Sequence, residues 1–254
     1  MTAGTTRSDH RSGGPDLLDG IDLVVFDKDG TLIDFDAMWA PWATHLATEL
    51  ELRLGRPLAA ELYAALDFDA AAGRTLPGGV LAVTPMTELF EWLVGFLVGL
   101  GAEPAKARGT LEASWSVPDP VALAHPVAPL RPLFEALRES GRRIAVATSD
   151  DHDPTVRTLE ALGVADLVDA VIGADDGVAI KPAAAMLEAV CDRLGVPAAR
   201  TAIVGDARPD LAMGRAAGAG LVVAVLSGLA GRAELEPLAD VVVGSIGDLV
   251  SARD

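Results

Sequence analysis

"VVFDKDGTL", residues 24–32, carries the pattern on which the fold turns. The apolar run Leu23-Val24-Val25-Phe26 has the composition of a strand buried on both faces, yet it stops at three consecutive charges, Asp27-Lys28-Asp29, followed by Gly30. A core strand that delivers two carboxylates, two residues apart, to the point where it leaves a sheet needs a physical reason. At ~4 Å and an effective dielectric of about 20, like charges repel by roughly 4 kcal/mol. A cation relieves that repulsion, and hard carboxylate oxygens suit Mg²⁺. Gly30 permits a tight turn or a close backbone approach to a ligand. For one aspartate alone, a turn or a helix cap would be explanation enough.

Working outward, the same arrangement recurs. The apolar run 144–147 ends in Thr148-Ser149-Asp150-Asp151, the run 171–173 in Ala174-Asp175-Asp176, and the run 202–204 in Gly205-Asp206. Runs 221–226 and 240–243 complete a set of six strands. Helix-like stretches at 130–141, 155–163, 182–195 and 209–218 lie between the later runs; several end at Gly and two begin at Pro. Strands alternating with helices of this length predict an α/β fold, a Rossmann-like doubly wound parallel sheet with helices on both faces. Ligands bind such sheets outside the carboxyl ends of the strands, where all four polar endings fall.

Residues 35–125 break the alternation. They hold helix-like patterns at 37–54, 59–66, 86–100 and 105–115 and no convincing strand, and "VPDP" (117–120) and "HPVAP" (125–129) mark their end. The expected organisation is a core domain of residues 20–34 and 126–254, with an all-helical cap domain, residues 35–125, inserted after the first strand as a lid over the strand ends. The polar first 15 or so residues lack an apolar stretch of signal-peptide type, and a disordered tail is expected over residues 1–19.

Composition narrows the function classes. A chain of 254 residues, 50% hydrophobic, can bury a large core, and with 4% aromatics that core is filled by Ala, Val and Leu. The single Cys191 rules out an intrachain disulfide and reads as a small buried hydrophobe on a helix. A formal charge of −17 argues against nucleic acid or an anionic membrane as partner of the surface as a whole. The most apolar stretch, 86–101, carries Glu88 and Glu91 and reads as a buried or amphipathic helix, so a cytoplasmic location is expected. Oligomeric state is left open.

Further side chains join the two aspartates at the strand ends. Thr148 and Ser149 offer hydroxyls where a phosphate oxygen could bind near a helix N-terminus, although both are also ordinary helix caps. Asp150-Asp151-His152-Asp153 has metal-binding residue types, but neighbours in a loop point in different directions. Lys181 precedes Pro182, the expected first residue of a helix, where a cation is disfavoured unless an anion lies between; a solvated surface lysine is the alternative. "IVGDARPD" supplies Asp206 at a strand end and Asp210 just inside a helix begun by Pro209. Asp210 also suits a helix N-terminus for its own sake.

"DKDGTL", "VATSD", "IKP" and "GDARPD", in this order and on these strand ends, resemble the four motifs of the haloacid dehalogenase superfamily. The insertion between the first two motifs resembles the branch that includes phosphoglycolate phosphatases, and the likeness covers about residues 21–250. The resemblance implies a phosphatase acting on a small phosphorylated metabolite, phosphoglycolate-like by analogy, with Asp27 as nucleophile forming an aspartyl-phosphate and Asp29 as general acid and then base. It implies that Thr148, Ser149 and Lys181 hold the phosphoryl oxygens. It also implies Mg²⁺ bound by Asp27, the Asp29 backbone carbonyl and Asp206, with Asp210 beside the metal as a ligand or through water. The dehalogenases of the superfamily lack the second carboxylate, so the presence of Asp29 favours phosphate chemistry over carbon–halogen hydrolysis. A phosphomutase would use the same core motifs, and a non-catalytic ligand-binding member is the other alternative.

The insertion is expected to select the substrate. Arg74, in the loop "AAGRTLPGG", could meet a substrate carboxylate; Trp39 and Trp42 suit core packing of the insertion or substrate contact; His125 lies where the insertion rejoins the core. Alternation along the strand points Lys28 away from Asp27 and Asp29, toward the cap or the surrounding surface.

Overall fold

The computed structural model describes residues 17–84, 86–116, 119 and 121–250. In chain order the first elements are β1 (Leu23–Phe26), α1 (Phe35–Leu54), α2 (Ala59–Leu66), β2 (Phe68–Asp69), β3 (Arg74–Thr75), α3 (Val80–Val83), α4 (Met86–Gly99) and α5 (Pro104–Ser114). There follow α6 (Leu130–Glu139), β4 (Arg143–Ala147), α7 (His152–Ala161), β5 (Ala170–Ile172) and α8 (Ala185–Leu194). The chain continues through β6 (Thr201–Gly205), α9 (Arg208–Ala217), β7 (Leu221–Val225), α10 (Arg232–Leu235) and β8 (Val241–Val243).

Six strands form one parallel sheet in the order β5-β4-β1-β6-β7-β8. After β1 the chain builds outward through β4 and β5, then returns to the other side of β1 for β6, β7 and β8. This reversal of direction beside β1 is the topological switch point at which open α/β sheets bind ligands. β1 shows why the sheet is apolar throughout. Val24 and Phe26 join the core on one face with Phe134 and Ile144, while Leu23 and Val25 join the core on the other with Met186 and Leu211. Phe26 stacks on Phe134 of α6 at 5.4 Å. Burying each such side chain stabilises the fold by roughly 1.5–3 kcal/mol.

The register fixes the site. Phe26 lies opposite Val146 of β4 and Val204 of β6, so Asp27, Thr148 and Asp206 emerge at the same edge. Asp27 N–H still donates to Val204 O at 2.9 Å, and Thr148 N–H to Ile172 O at 3.0 Å, so neither leaves the ladder abruptly.

Between β1 and α6 the chain builds a third core from residues of that segment alone, including Trp42, Leu46, Leu62, Leu89 and Leu111. α1 starts at Asp34, whose carboxylate accepts from Ala37 N–H at 3.1 Å, and stops at Gly55 with φ 65°. The two connections to the sheet run side by side: Asp34 N–H donates to His125 O at 2.8 Å and Val127 N–H to Leu32 O at 3.0 Å. His125 Nδ1 lies 2.9 Å from Leu123 O and closes a turn there.

Three details differ from the sequence expectation. The insertion contains a two-stranded antiparallel pair, Phe68–Asp69 with Arg74–Thr75, too short to leave a period-two signature. The helix expected from Pro182 begins at Ala185, because residues 180–183 first close a turn in which Ala183 N–H donates to Ile180 O at 3.1 Å. The tail expected over residues 1–19 lies mostly outside the described residues, but Leu18 is fully buried in the sheet core. Of the stretch "VPDP", only Asp119 lies within the described residues. No helix among the described residues is long and apolar enough to cross a membrane.

Candidate active site at the carboxyl edge of the sheet

β1, β6 and the turn before α8 bring Asp27, Asp206, Asp210 and Lys181 to one point, all of them buried. Lys181 Nζ donates to Asp27 Oδ1 at 2.5 Å and to Asp210 Oδ1 at 2.6 Å. The other oxygen of Asp210 accepts from Ala207 N–H at 3.0 Å, which fixes the carboxylate across the first turn of α9. Thr31 Oγ1 donates to Asp206 Oδ1 at 2.9 Å.

Glycines make room for this packing. Gly30 has φ 83°, and a Cβ there would lie 2.3 Å from Asp206 Oδ2. A Cβ on Gly228 would lie 1.8 Å from the same oxygen. The close approach that Gly30 permits is thus to Asp206. Ser227 Oγ, from the same loop as Gly228, donates to Gly30 O at 2.8 Å and ties the two turns together.

Electrostatically the cluster carries too much negative charge for its burial. Burial pushes the Asp27 carboxyl up to about 6 against the opposing pull of Lys181. Asp206 is raised well above the ordinary carboxylate range by burial and by the neighbouring Asp27 and Asp210. Burial alone would lower Lys181, but Asp210 and Asp27 overcome it and hold the ammonium above its usual value. Carboxylate oxygens of Asp27, Asp206 and Asp210 lie within 4.8 Å of one another. An all-oxygen, anionic donor set in which burial raises the proton affinity of Asp27 and Asp206 fits a hard divalent cation.

Asp29 stands apart from that trio. Its carboxylate accepts from Lys28 Nζ at 2.7 Å, and Lys28 also pairs with Asp150 Oδ2 at 2.9 Å. Lys28 is 1% exposed, so the expectation that it meets the cap or the surface is corrected. Period-two alternation ends with the strand: Leu32 and Ile33 N–H both donate back to Lys28 O, at 2.8 and 3.0 Å, and the coiled backbone carries Lys28 inward. Asp29 is raised to about 6 by the protein packed round it, with Lys28 pulling the other way.

Thr148 is buried, and its Oγ1 accepts from Asp150 N–H at 3.1 Å; Ser149 is exposed. Both line a cavity of about 1060 Å³ together with Asp27, Asp29, Lys181, Asp206 and Asp210. The run 150–153 does not gather round one point: Asp150 pairs with Lys28, while His152 Nδ1 lies 2.9 Å from Asp176 Oδ2. Arg74 is not brought to this cavity. It lines an adjoining one of about 500 Å³, lies 3.7 Å from Asp36 and keeps 61% of its side chain exposed. Trp39 lines the main cavity, and Trp42 is buried in the insertion's core. Thr31, Ser227, Gly228 and the burial of Lys28 went unpredicted. Thr31 had a signal in its place two residues beyond Asp29; Gly228 had none, since the carboxylate it accommodates is 22 positions away in sequence.

Residues 21–218 match the family model described as haloacid dehalogenase-like hydrolase. The chain is 32% identical over 200 residues to the phosphoglycolate phosphatase of Rhodospirillum rubrum, a match that spans 79% of this chain and 78% of that one. A plasmid phosphoglycolate phosphatase of Cupriavidus necator is 29% identical over 212 residues, spanning 77% of each chain. Among solved structures, a subfamily IA hydrolase from Geobacter sulfurreducens has a TM-score of 0.64 at 17% identity, covering 91% of this chain and 95% of that one. At that identity the likeness is one of fold.

Proposed function

The chain belongs to the haloacid dehalogenase-like hydrolases and is a phosphatase, and from that premise we propose that it hydrolyses a small phosphate monoester through an aspartyl-phosphate intermediate, with Mg²⁺ as cofactor. The observation that carries this is the contact of Lys181 with both Asp27 and Asp210, at 2.5 and 2.6 Å, in a cluster that opens on a ligand-sized cavity.

Asp27 is the nucleophile. Its carboxylate oxygen forms a bond to phosphorus as the bond from phosphorus to the ester oxygen breaks. Asp29 donates a proton to the departing oxygen and then takes one from the water that attacks the aspartyl-phosphate at phosphorus. With a pKa of about 6 it is available in both protonation states near neutral pH. Thr148, Ser149 and Lys181 hold the phosphoryl oxygens, and Lys181 offsets their charge. The carboxylates of Asp27, Asp206 and Asp210 and the backbone carbonyl of Asp29 are the groups that would hold Mg²⁺. When bound, Mg²⁺ supplies positive charge that relieves the buried carboxylates and stabilises the transferring phosphoryl group. The insertion, residues 35–125, covers the strand ends as a cap. Phosphate monoester hydrolysis is among the slowest uncatalysed reactions, accelerated by enzymes up to ~10²¹-fold, and electrostatic positioning of this kind addresses that barrier.

The test is phosphate release from a panel of esters with and without Mg²⁺. Release is expected to need the metal and to fall by ~10³-fold or more in Asp27→Asn. Equal rates for wild type and Asp27→Asn would refute the mechanism. A sugar phosphate returned as its isomer with little free phosphate would identify a mutase, and tight binding without turnover a non-catalytic member.

A further inference from the structure

The side of the cavity facing the carboxylates bears on the organic part of the ester. We infer that this phosphatase takes a monoester whose alcohol is uncharged and apolar, with an aromatic ring or comparable hydrocarbon, and disfavours small carboxylated alcohols such as the glycolate of 2-phosphoglycolate. The inference rests on the phosphatase reading above and specifies its substrate class.

Phe35, Met38 and Trp39 of α1 and its N-terminus, Ala82 of α3 and Met86 of α4 form the wall opposite the sheet edge. Among the described residues, no charged side chain from this stretch of the insertion lines the cavity. A substrate carboxylate against that wall would give up water without gaining a partner, at a cost of several kcal/mol. The sheet side does not compensate. Its lining cations are Lys181, already shared between Asp27 and Asp210, and Arg208, exposed at the start of α9. Against these two cations, seven lining residues are Asp or Glu, a field unfavourable to a second anion beyond the phosphate. Arg74 serves the neighbouring cavity.

The aromatic residues supply the positive side of the argument. The chain has only 11 Phe, Tyr and Trp residues, yet five of them form one continuous series of ring contacts that starts at this wall. Phe35 stacks on Trp39 at 5.7 Å, Trp39 meets Trp42 edge-on at 5.6 Å, Trp42 meets Trp115 at 5.4 Å, and Trp115 meets Phe90 at 5.1 Å. Trp42 Nε1 donates to Ser116 O at 2.7 Å and anchors the series. The rings at the cavity are therefore held in place before a ligand arrives, which reduces the entropy lost on stacking a substrate ring. A volume of about 1060 Å³ also exceeds what glycolate can fill and lies just above the range of pockets that take drug-sized ligands, roughly 300–1,000 Å³.

The test compares kcat/KM of the full chain with Mg²⁺ for benzyl phosphate, glycerol 3-phosphate and 2-phosphoglycolate. All three release alkoxide-type leaving groups, so chemical reactivity does not dominate the comparison. Benzyl phosphate is expected to exceed 2-phosphoglycolate at least tenfold. Trp39→Ala is expected to lower that ratio at least tenfold, mainly through KM. Phe35→Leu, which keeps the bulk and removes the ring, should lower it in the same direction by at least threefold, so that a Trp39 variant that fails to fold does not decide the matter. A kcat/KM for 2-phosphoglycolate equal to or above that for benzyl phosphate overturns the inference and leaves the phosphatase reading standing. Failure of every ester to release phosphate, with Asp27→Asn indistinguishable from wild type, overturns both.

Discussion

The sheet edge and the insertion face each other across one cavity, and their side chains differ in kind. Asp27, Lys181, Asp206 and Asp210 project from one side, and Phe35, Met38, Trp39 and Met86 from the other. The difference follows from what holds each side. β1 is paired on both flanks, so the backbone that presents Asp27 is pinned by two parallel ladders and can keep charges where they repel one another. The insertion rests on a core of its own and presents apolar side chains to the cavity. Bond-breaking chemistry is assigned to the rigid side and choice of alcohol to the other.

The largest effect, after loss of the proposed nucleophile Asp27, is expected where the rigid side has no slack. In Gly228→Ala the added Cβ would lie 1.8 Å from Asp206 Oδ2 and 2.5 Å from Asp206 Cβ, so the carboxylate must move and its bond from Thr31 must break. A kcat loss of ~10²-fold is expected, with weaker Mg²⁺ binding by titration calorimetry. Gly231→Ala, where a new Cβ meets nothing within 4 Å, should behave as wild type.

Lys28→Met should lower kcat by ~10–100-fold, because it removes the 2.7 Å contact that fixes Asp29, the proposed general acid. The loss should be greater for alkyl esters than for p-nitrophenyl phosphate, whose leaving group needs little protonation. A uniform loss across both would show that Lys28 serves folding alone.

Metal-free stability should follow the buried carboxylates. Asp27 and Asp29 have pKa values raised from 3.8 to about 6, so between about pH 6 and pH 4 the folded chain binds protons that the unfolded chain does not. Stability of the metal-free protein is therefore expected to rise as pH falls through that window and to be lower above it. Mg²⁺ should reverse the trend by stabilising the ionised cluster near neutral pH. Asp206→Asn should raise metal-free stability at pH 8 by about 1–3 kcal/mol, read from thermal melts in chelator.

The smallest effect is expected at Arg74, on the insertion but outside the main cavity. Arg74→Ala should change stability by no more than about 0.5 kcal/mol, since the side chain is 61% exposed and its Asp36 contact is 3.7 Å. A kcat/KM within about twofold of wild type would show that Arg74 takes no part in selection.

Legibility in the sequence tracked the local rules. Asp27, Thr148 and Asp206 could be found because each follows an apolar run in a strand-helix alternation, and such endings share one edge of a parallel sheet; Asp210 could be found from its place in the helix that follows Asp206. Lys181 could be found from its place before Pro182, although the helix start inferred there was three residues early. Lys28 was misplaced because the period-two rule was carried two residues beyond the strand that justified it. Arg74 was selected by its charge in a Gly-rich loop, which says nothing about the direction a loop faces.

The sequence by itself determined the parallel sheet and the edge at which Asp27, Lys181, Asp206 and Asp210 gather, because strand burial and strand endings are written in consecutive residues. Only the tertiary structure decided that Lys28 is buried against Asp29 and Asp150, that Gly228 makes room for Asp206, and that the opposing wall is aromatic and free of cations among the described residues. Those facts depend on contacts between segments far apart in the chain, whose side-chain directions no local periodicity encodes.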